Sequence, residues 1–176
     1  AVARQDDRFR ESAPLGLAHA VKTAQPYIGV DRFVLFLGDN FIRDGVVKYV
    51  QEFAESRANA MILLYKVPNP QSFGVAEIAD GRVVRVVEKP KEPKSDLALV
   101  GVYMFDSSIH ESVRRIVPSA RGELEITDLN RLYVERGDLR VEALGRGVAW
   151  LDAGTHESLL QASNFIQAVQ ERQGMM

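Results

Sequence analysis

The chain has 176 residues, 46% of them hydrophobic, which is enough for one domain with a substantial core. Its 22 basic and 24 acidic residues are interspersed and the net charge is −2, so no basic stripe is available to neutralise a phosphate backbone and a nucleic-acid partner is not expected. With no cysteine, disulfides, thiolate nucleophiles and Cys-based zinc sites are excluded together, in keeping with a reducing cytoplasm.

Leu17, Val21 and Ala24 recur at helical spacing behind Pro14-Leu-Gly16 and predict a helix over 15–24. Phe33-Val-Leu-Phe-Leu37 is rich in strand formers and breaks at Gly38-Asp-Asn40, the pattern of a buried strand ending in a turn. Val46, Val47, Val50, Phe53 and Ala54 form the apolar stripe of a following helix, and 61–67 returns to strand, closed by Pro68-Asn-Pro70. Such apolar runs are strand-sized and far too short to cross a bilayer. The strand–helix–strand alternation predicts an α/β fold with a mixed, mainly parallel central sheet flanked by helices.

Short extended runs at 73–78 and 83–88 flank Ala79-Asp-Gly-Arg82, whose Asp-Gly pair marks a hairpin. The stretch Lys89-Pro-Lys-Glu-Pro-Lys-Ser-Asp96 reads as a hydrated loop that ends the strand and passes over a pocket. A strand over 97–105, a helix through Ile109, Val113 and Ile116, a helix over 127–135, a strand over 140–144 and a helix over 155–173 complete the pattern. There is no internal repeat and no Walker-type phosphate motif, and His19, His110 and His156 are not spaced as a metal set.

Asp39 follows a buried strand, where open α/β sheets place their ligand crevice, and a carboxylate there suits Mg²⁺ beside phosphates. An Asx turn or a helix cap is the ordinary alternative. Asp152, ahead of Gly154-Thr155, is either a second metal ligand or the N-cap of the last helix, with Thr155 the better cap. Glu88-Lys89-Pro90 offers an acceptor for hydroxyls and a cation for a phosphate, or merely a solvated pair at a strand end. Gly74 and Gly101 read as close-approach or bulge glycines, and Tyr103 as a pocket or core residue.

Taken together, Leu37-Gly-Asp-Asn40, Ser72-Phe-Gly-Val75, Glu88-Lys89-Pro90, Leu99-Val-Gly-Val-Tyr103, the decapeptide RGELEITDLN at 121–130 and Trp150-Leu-Asp-Ala-Gly-Thr155 resemble the sugar-1-phosphate nucleotidylyltransferases, and within them the glucose-1-phosphate thymidylyltransferases. The resemblance implies a Rossmann-like nucleotidyltransferase fold and the conversion of dTTP and glucose 1-phosphate to dTDP-glucose and pyrophosphate with Mg²⁺. It implies that Asp39 and Asp152 hold the metal, that Lys89 takes the sugar phosphate, that Gly74 and Glu88 grip the hexose, and that Phe73, Leu99, Tyr103 and Trp150 are substrate-binding. Gly16 and Leu17 in Pro14-Leu-Gly-Leu-Ala-His-Ala20 would line the base pocket. A cytoplasmic homo-oligomer without membrane contact is expected. Where the family carries a Gln three residues before that proline, this chain has Glu11, which when ionised can only accept, so UTP or another triphosphate stays open as substrate. Members normally begin with a strand and a Gly-rich, Arg-containing loop that this sequence lacks. The expectation is therefore one nucleotidyltransferase domain over 1–176, shortened at the N-terminus and at the C-terminus, with a non-catalytic sugar-nucleotide-binding fragment as the alternative.

Overall fold

The structure, a computed structural model, describes residue 13 and residues 15–174. Its elements in chain order are α1 (Leu17–Ile28), β1 (Phe33–Phe36), β2 (Asn40–Ile42), α2 (Val47–Glu55), β3 (Ala60–Lys66), β4 (Gly74–Ala79), β5 (Arg82–Glu88), β6 (Leu97–Phe105), α3 (Ile109–Arg115), α4 (Ile126–Arg136), β7 (Leu139–Ala143), β8 (Trp150–Asp152) and α5 (His156–Gln173). The main sheet runs β5-β4-β6-β3-β7, with β1 also paired to β6, and β2 and β8 form a separate two-stranded sheet.

The sheet is mixed, as expected, but it is not mainly parallel among the described residues. Only β3 and β7 pair in parallel; the β1–β6, β3–β6, β4–β5 and β4–β6 ladders are antiparallel. The reason is visible at β6. Strands β1 and β3 run the same way, as a helical crossover demands, but β6 inserts between them and runs opposite to both.

Strand periodicity divides the core into two layers. Along β3, Ala60, Ile62 and Leu64 face one layer, while Met61 and Leu63 face the other. Along β6, Leu99, Tyr103 and Phe105 join the first layer, and Ala98, Val100, Val102 and Met104 join the second. Helices α1, α3 and α4 cover the first layer through Ala18, Val21, Ile109, Val113, Ile126, Leu129 and Tyr133. The second is closed by Phe53 of α2, Ile42 of β2, Leu144 and Trp150. Both central strands are apolar on both faces because both faces are covered.

Between Ile62↔Tyr103 and Leu64↔Leu99, β6 advances farther than β3, so the bulge expected of a strand glycine falls around Gly101. Of the loop that follows β5, only Lys89 reaches the cleft described below; Pro93 to Asp96 lies instead against Val67, Pro68 and Pro70. The expected passage over the pocket is thus corrected: Asp96 is tied away by Lys66, 2.8 Å from its carboxylate, and by the Val67 N–H, which donates to its carbonyl. No described helix is long and apolar enough to cross a membrane.

Candidate functional site

A cleft of about 370 Å³ gathers every candidate named from the sequence except Gly16, and Glu11, which lies outside the described residues. Asp39 and Asn40 enter it from the turn after β1, Phe73 and Gly74 from the start of β4, and Glu88 and Lys89 from the end of β5. Leu99, Gly101 and Tyr103 form its floor on β6, Trp150 and Asp152 come from β8, and Leu17 from the first turn of α1. Gly16 has a different task. Its φ of +98° and the Leu124 backbone, 2.6 Å from where a Cβ would stand, let α1 start directly against the loop before α4. Pro14 and Glu11 lie outside the described residues, so the base-specificity expectation attached to Glu11 has no structural counterpart here.

The structure brings Asp39 and Asp152 together. Asn40 pairs with Asp152 across the β2–β8 ladder, and the Ala153 N–H donates to the Asp39 carbonyl at 2.7 Å. The position a Cβ would take on Gly154 lies 3.0 Å from Asp152 Oδ1 and 3.2 Å from Asp39 Oδ2, so both carboxylates border one small volume. The helix-cap alternative for Asp152 does not apply. Thr155 caps α5, its Oγ1 accepting from the Ser158 N–H at 3.1 Å and Ser158 Oγ accepting from the Thr155 N–H at 3.0 Å. Among the described residues, Asp152 Oδ1 accepts from the Gly154 N–H, at 2.9 Å.

Among the described residues, two carboxylates define what could bind here. Among the described residues no cluster of three or more His, Cys, Asp or Glu side chains forms a metal cage. Hard carboxylate oxygens in a pair, facing an open cleft, fit Mg²⁺, which keeps several waters and completes its shell with phosphate oxygens. A structural zinc ion, needing four protein ligands, does not fit.

At the other end of the cleft, Glu88 and Lys89 meet a residue set that sequence reasoning left without a chemical role. Arg121 grips the buried Glu125 with both arms, Nε to Oε1 at 3.1 Å and Nη2 to Oε2 at 2.8 Å, while Ser119 Oγ donates to Oε1 at 2.7 Å. The same guanidinium lies 3.5 Å from Glu88 Oε1. Burial, and then the charge of Glu125, hold the Glu88 carboxyl above its ordinary range, against the opposing pull of Lys89 and Arg121. Thr127 lies beside them, with its methyl 2.9 Å and Glu88 Oε2 3.3 Å from the Cβ position of Gly74. Its hydroxyl is buried and, beside Glu88, opposes the upward shift of that carboxyl. Lys89 sits at φ +39°, a left-handed conformation rare for a residue with a side chain, and its N–H donates to the Phe73 carbonyl at 3.0 Å. Burial first, then the charges of Glu88, Asp39 and Asp152, push the Tyr103 hydroxyl up, so it stays a neutral donor at the cleft floor.

Arg121, Glu125, Thr127 and Asn40 are among the cleft residues that the sequence did not single out. The first three lie in the decapeptide at 121–130, whose resemblance marked the place but not the chemistry. That chemistry depends on loop 119–125 folding back on Glu88, a tertiary contact with no local signal.

The sequence profile described as nucleotidyl transferase matches residues 5–169. Glucose-1-phosphate thymidylyltransferase of Neisseria meningitidis serogroup A is 46% identical over 167 residues, which cover 94% of this chain and 58% of that protein. The protein of the same name from Mycolicibacterium smegmatis is 44% identical over 167 residues, with the same coverages. A crystal structure from Bacillus anthracis, assigned as a glucose-1-phosphate thymidylyltransferase and solved with sucrose, superimposes with a TM-score of 0.81 at 42% identity over 89% of this chain and 62% of that one. UDP-glucose pyrophosphorylase complexed with UDP-glucose gives a TM-score of 0.78 at 26% identity, covering 90% and 64%. The chain thus spans 58% of the length of these two curated relatives. With a family profile running from residue 5 to residue 169 and the same Rossmann-like fold in its structural relatives, the chain belongs to the nucleotidyl transferase family.

Proposed function

We propose that this chain carries the metal and sugar-phosphate sites of a glucose-1-phosphate thymidylyltransferase, which joins dTTP and glucose 1-phosphate to give dTDP-glucose and pyrophosphate. The observation that supports it best is the meeting of Asp39 and Asp152 in the cleft that also holds Glu88 and Lys89. In this reading a phosphate oxygen of the sugar attacks the α-phosphorus in line. The new P–O bond forms as the bond to the bridging oxygen of the β-phosphate breaks, and pyrophosphate leaves. The attacking phosphate is already a nucleophile, so no side-chain base is needed and the chain's task is positioning and charge neutralisation. Asp39 and Asp152 would hold Mg²⁺, which when bound offsets the charge of the triphosphate. Lys89 orients the sugar phosphate. Glu88 accepts from hexose hydroxyls, and Thr127 supplies a further hydroxyl next to it.

The test uses a protein containing this sequence, with pyrophosphate release as readout. Asp39→Asn and Asp152→Asn each lower turnover about 10²-fold or more, the scale of losing one preorganised electrostatic contact. The double variant falls far short of the product of the two losses, because both disable one unit. Independent, multiplicative losses would rule out the shared metal. A second reading, a UTP-dependent enzyme, is favoured by the likeness to UDP-glucose pyrophosphorylase. Competition between dTTP and UTP for one pool of glucose 1-phosphate separates the two.

A further inference from the structure

The two carboxylates facing the proposed metal position are not held alike. Asp152 is fixed by its own backbone two residues on, through the Gly154 N–H at 2.9 Å. Asp39 depends on a side chain: its Oδ1 accepts from Asn40 Nδ2 at 2.8 Å. The other end of the same amide is also engaged, because Asn40 Oδ1 accepts from the Gly101 N–H at 3.1 Å and from Trp150 Nε1 at 2.7 Å. Two N–H donors converge on that oxygen, so only this orientation of the amide pairs every group; the flipped one would set NH₂ against both donors.

The surroundings are shaped for this amide. Strand β1 ends at Phe36 and the chain turns away, leaving the edge of β6 at Gly101 short of a partner. Leu37 N–H still reaches the Gly101 carbonyl at 2.9 Å, and the Asn40 side chain takes the N–H that a continued strand would have paired. A Cβ on residue 101 would stand 2.5 Å from Asn40 Nδ2 and 2.8 Å from Oδ1, so only bare backbone leaves room. Trp150 in turn packs against Phe73 and Tyr65, with ring centroids 5.4 and 5.7 Å away. One amide therefore joins a candidate metal ligand to an indole that lines the cleft against Phe73.

We propose that Asn40 is a positioning residue for the metal: its amide fixes the Asp39 carboxylate against Gly101 and Trp150, and thereby links occupancy of the cation position to the indole that lines the cleft. This rests on the reading of Asp39 and Asp152 as metal ligands. Partners of this kind orient a ligand and set its basicity, and losing one lowers metal affinity about 10- to 100-fold. Hydrogen bonds in series polarise one another, so a cation drawing on Asp39 alters the bond at the far end of the amide.

The chain has a single tryptophan, so its indole N–H gives one resonance in a ¹⁵N-labelled sample of the full chain. Titration with MgCl₂ is expected to shift that resonance and the Gly101 N–H along one saturation curve, and Asp39→Asn to abolish the shift. Mn²⁺ affinity, read from the free-ion electron spin resonance signal, is expected to fall about 10- to 100-fold in Asn40→Ala. If wild type binds no Mn²⁺, or Asp39→Asn binds it equally well, the metal reading fails and this proposal with it. If Mn²⁺ binds and requires Asp39, but Asn40→Ala keeps wild-type affinity or an undiminished indole shift, the proposal alone is overturned. Should Asn40→Ala not fold, wild type and Asp39→Asn decide: a saturable indole shift lost with Asp39 supports it, and an unmoved indole sinks it.

Discussion

The Glu88 carboxyl is raised by burial and by Glu125, and that direction fixes a pH dependence. A carboxyl whose folded pKa exceeds its unfolded one binds more protons in the folded state, so stability falls as pH rises through that interval. The penalty is absent below the ordinary carboxylate range and complete above the raised value. Glu88→Gln keeps the shape and removes the charge. Urea unfolding at a series of pH values should find the variant level with wild type in acid and progressively more stable relative to it as pH climbs past the usual glutamate range. A constant difference across the series would mean that Glu88 is not held in this way. The strain is of a kind that a binding site retains, since an ionised acceptor set among carboxylates is what a hydroxyl-bearing ligand relieves.

At the scale of elements, α5 starts four residues beyond Asp152, so its capping box also anchors a proposed metal ligand. Thr155→Ala removes the acceptor for the Ser158 N–H and should cost about 1 kcal/mol of stability, seen as a lower urea midpoint with unchanged slope. The long elements were readable because periodicity and punctuation agree: β6 was expected over 97–105 and observed over Leu97–Phe105, and α2 began within a residue of its apolar stripe. Helix α1 runs past its expected span even though Pro26, near its C-terminal end, cannot donate to the Lys22 carbonyl, and Gly29 at φ 62° ends it. Strands β2 and β8 were not legible at all. Three residues carry no period, and the two are defined by each other across the chain. The site divides the same way. Asp39, Glu88, Lys89 and Asp152 could be named from contexts in the sequence, whereas the Arg121–Glu125 fork and the Asn40 amide exist only once distant segments meet.

For the whole molecule, the two core layers share β3 and β6 and cannot unfold separately. Phe105 belongs to the layer under α1, α3 and α4, where it lies 5.7 Å from the Tyr133 ring and is fully buried; Trp150 belongs to the opposite layer. Phe105→Ala should cost about 3–5 kcal/mol. The loss should show equally in Trp150 fluorescence and in far-ultraviolet circular dichroism, with coincident unfolding curves. Separate curves would mean that each layer stands on its own.

The β2–β8 ladder has a consequence for how this cleft comes into being during synthesis. Asn40 and Trp150 are separated by 110 residues, and the ladder that joins them is only three pairs long. Closing so long a loop costs about 2 kcal/mol more than closing one of ten residues, too much for three pairs to meet alone. The ladder must therefore wait until the main sheet has brought its ends together. A nascent chain still short of Trp150 carries Asp39 without its partner carboxylate and Asn40 without its indole. The pair of carboxylates is thus completed only after Asp152 has been made and the sheet that supports it has formed.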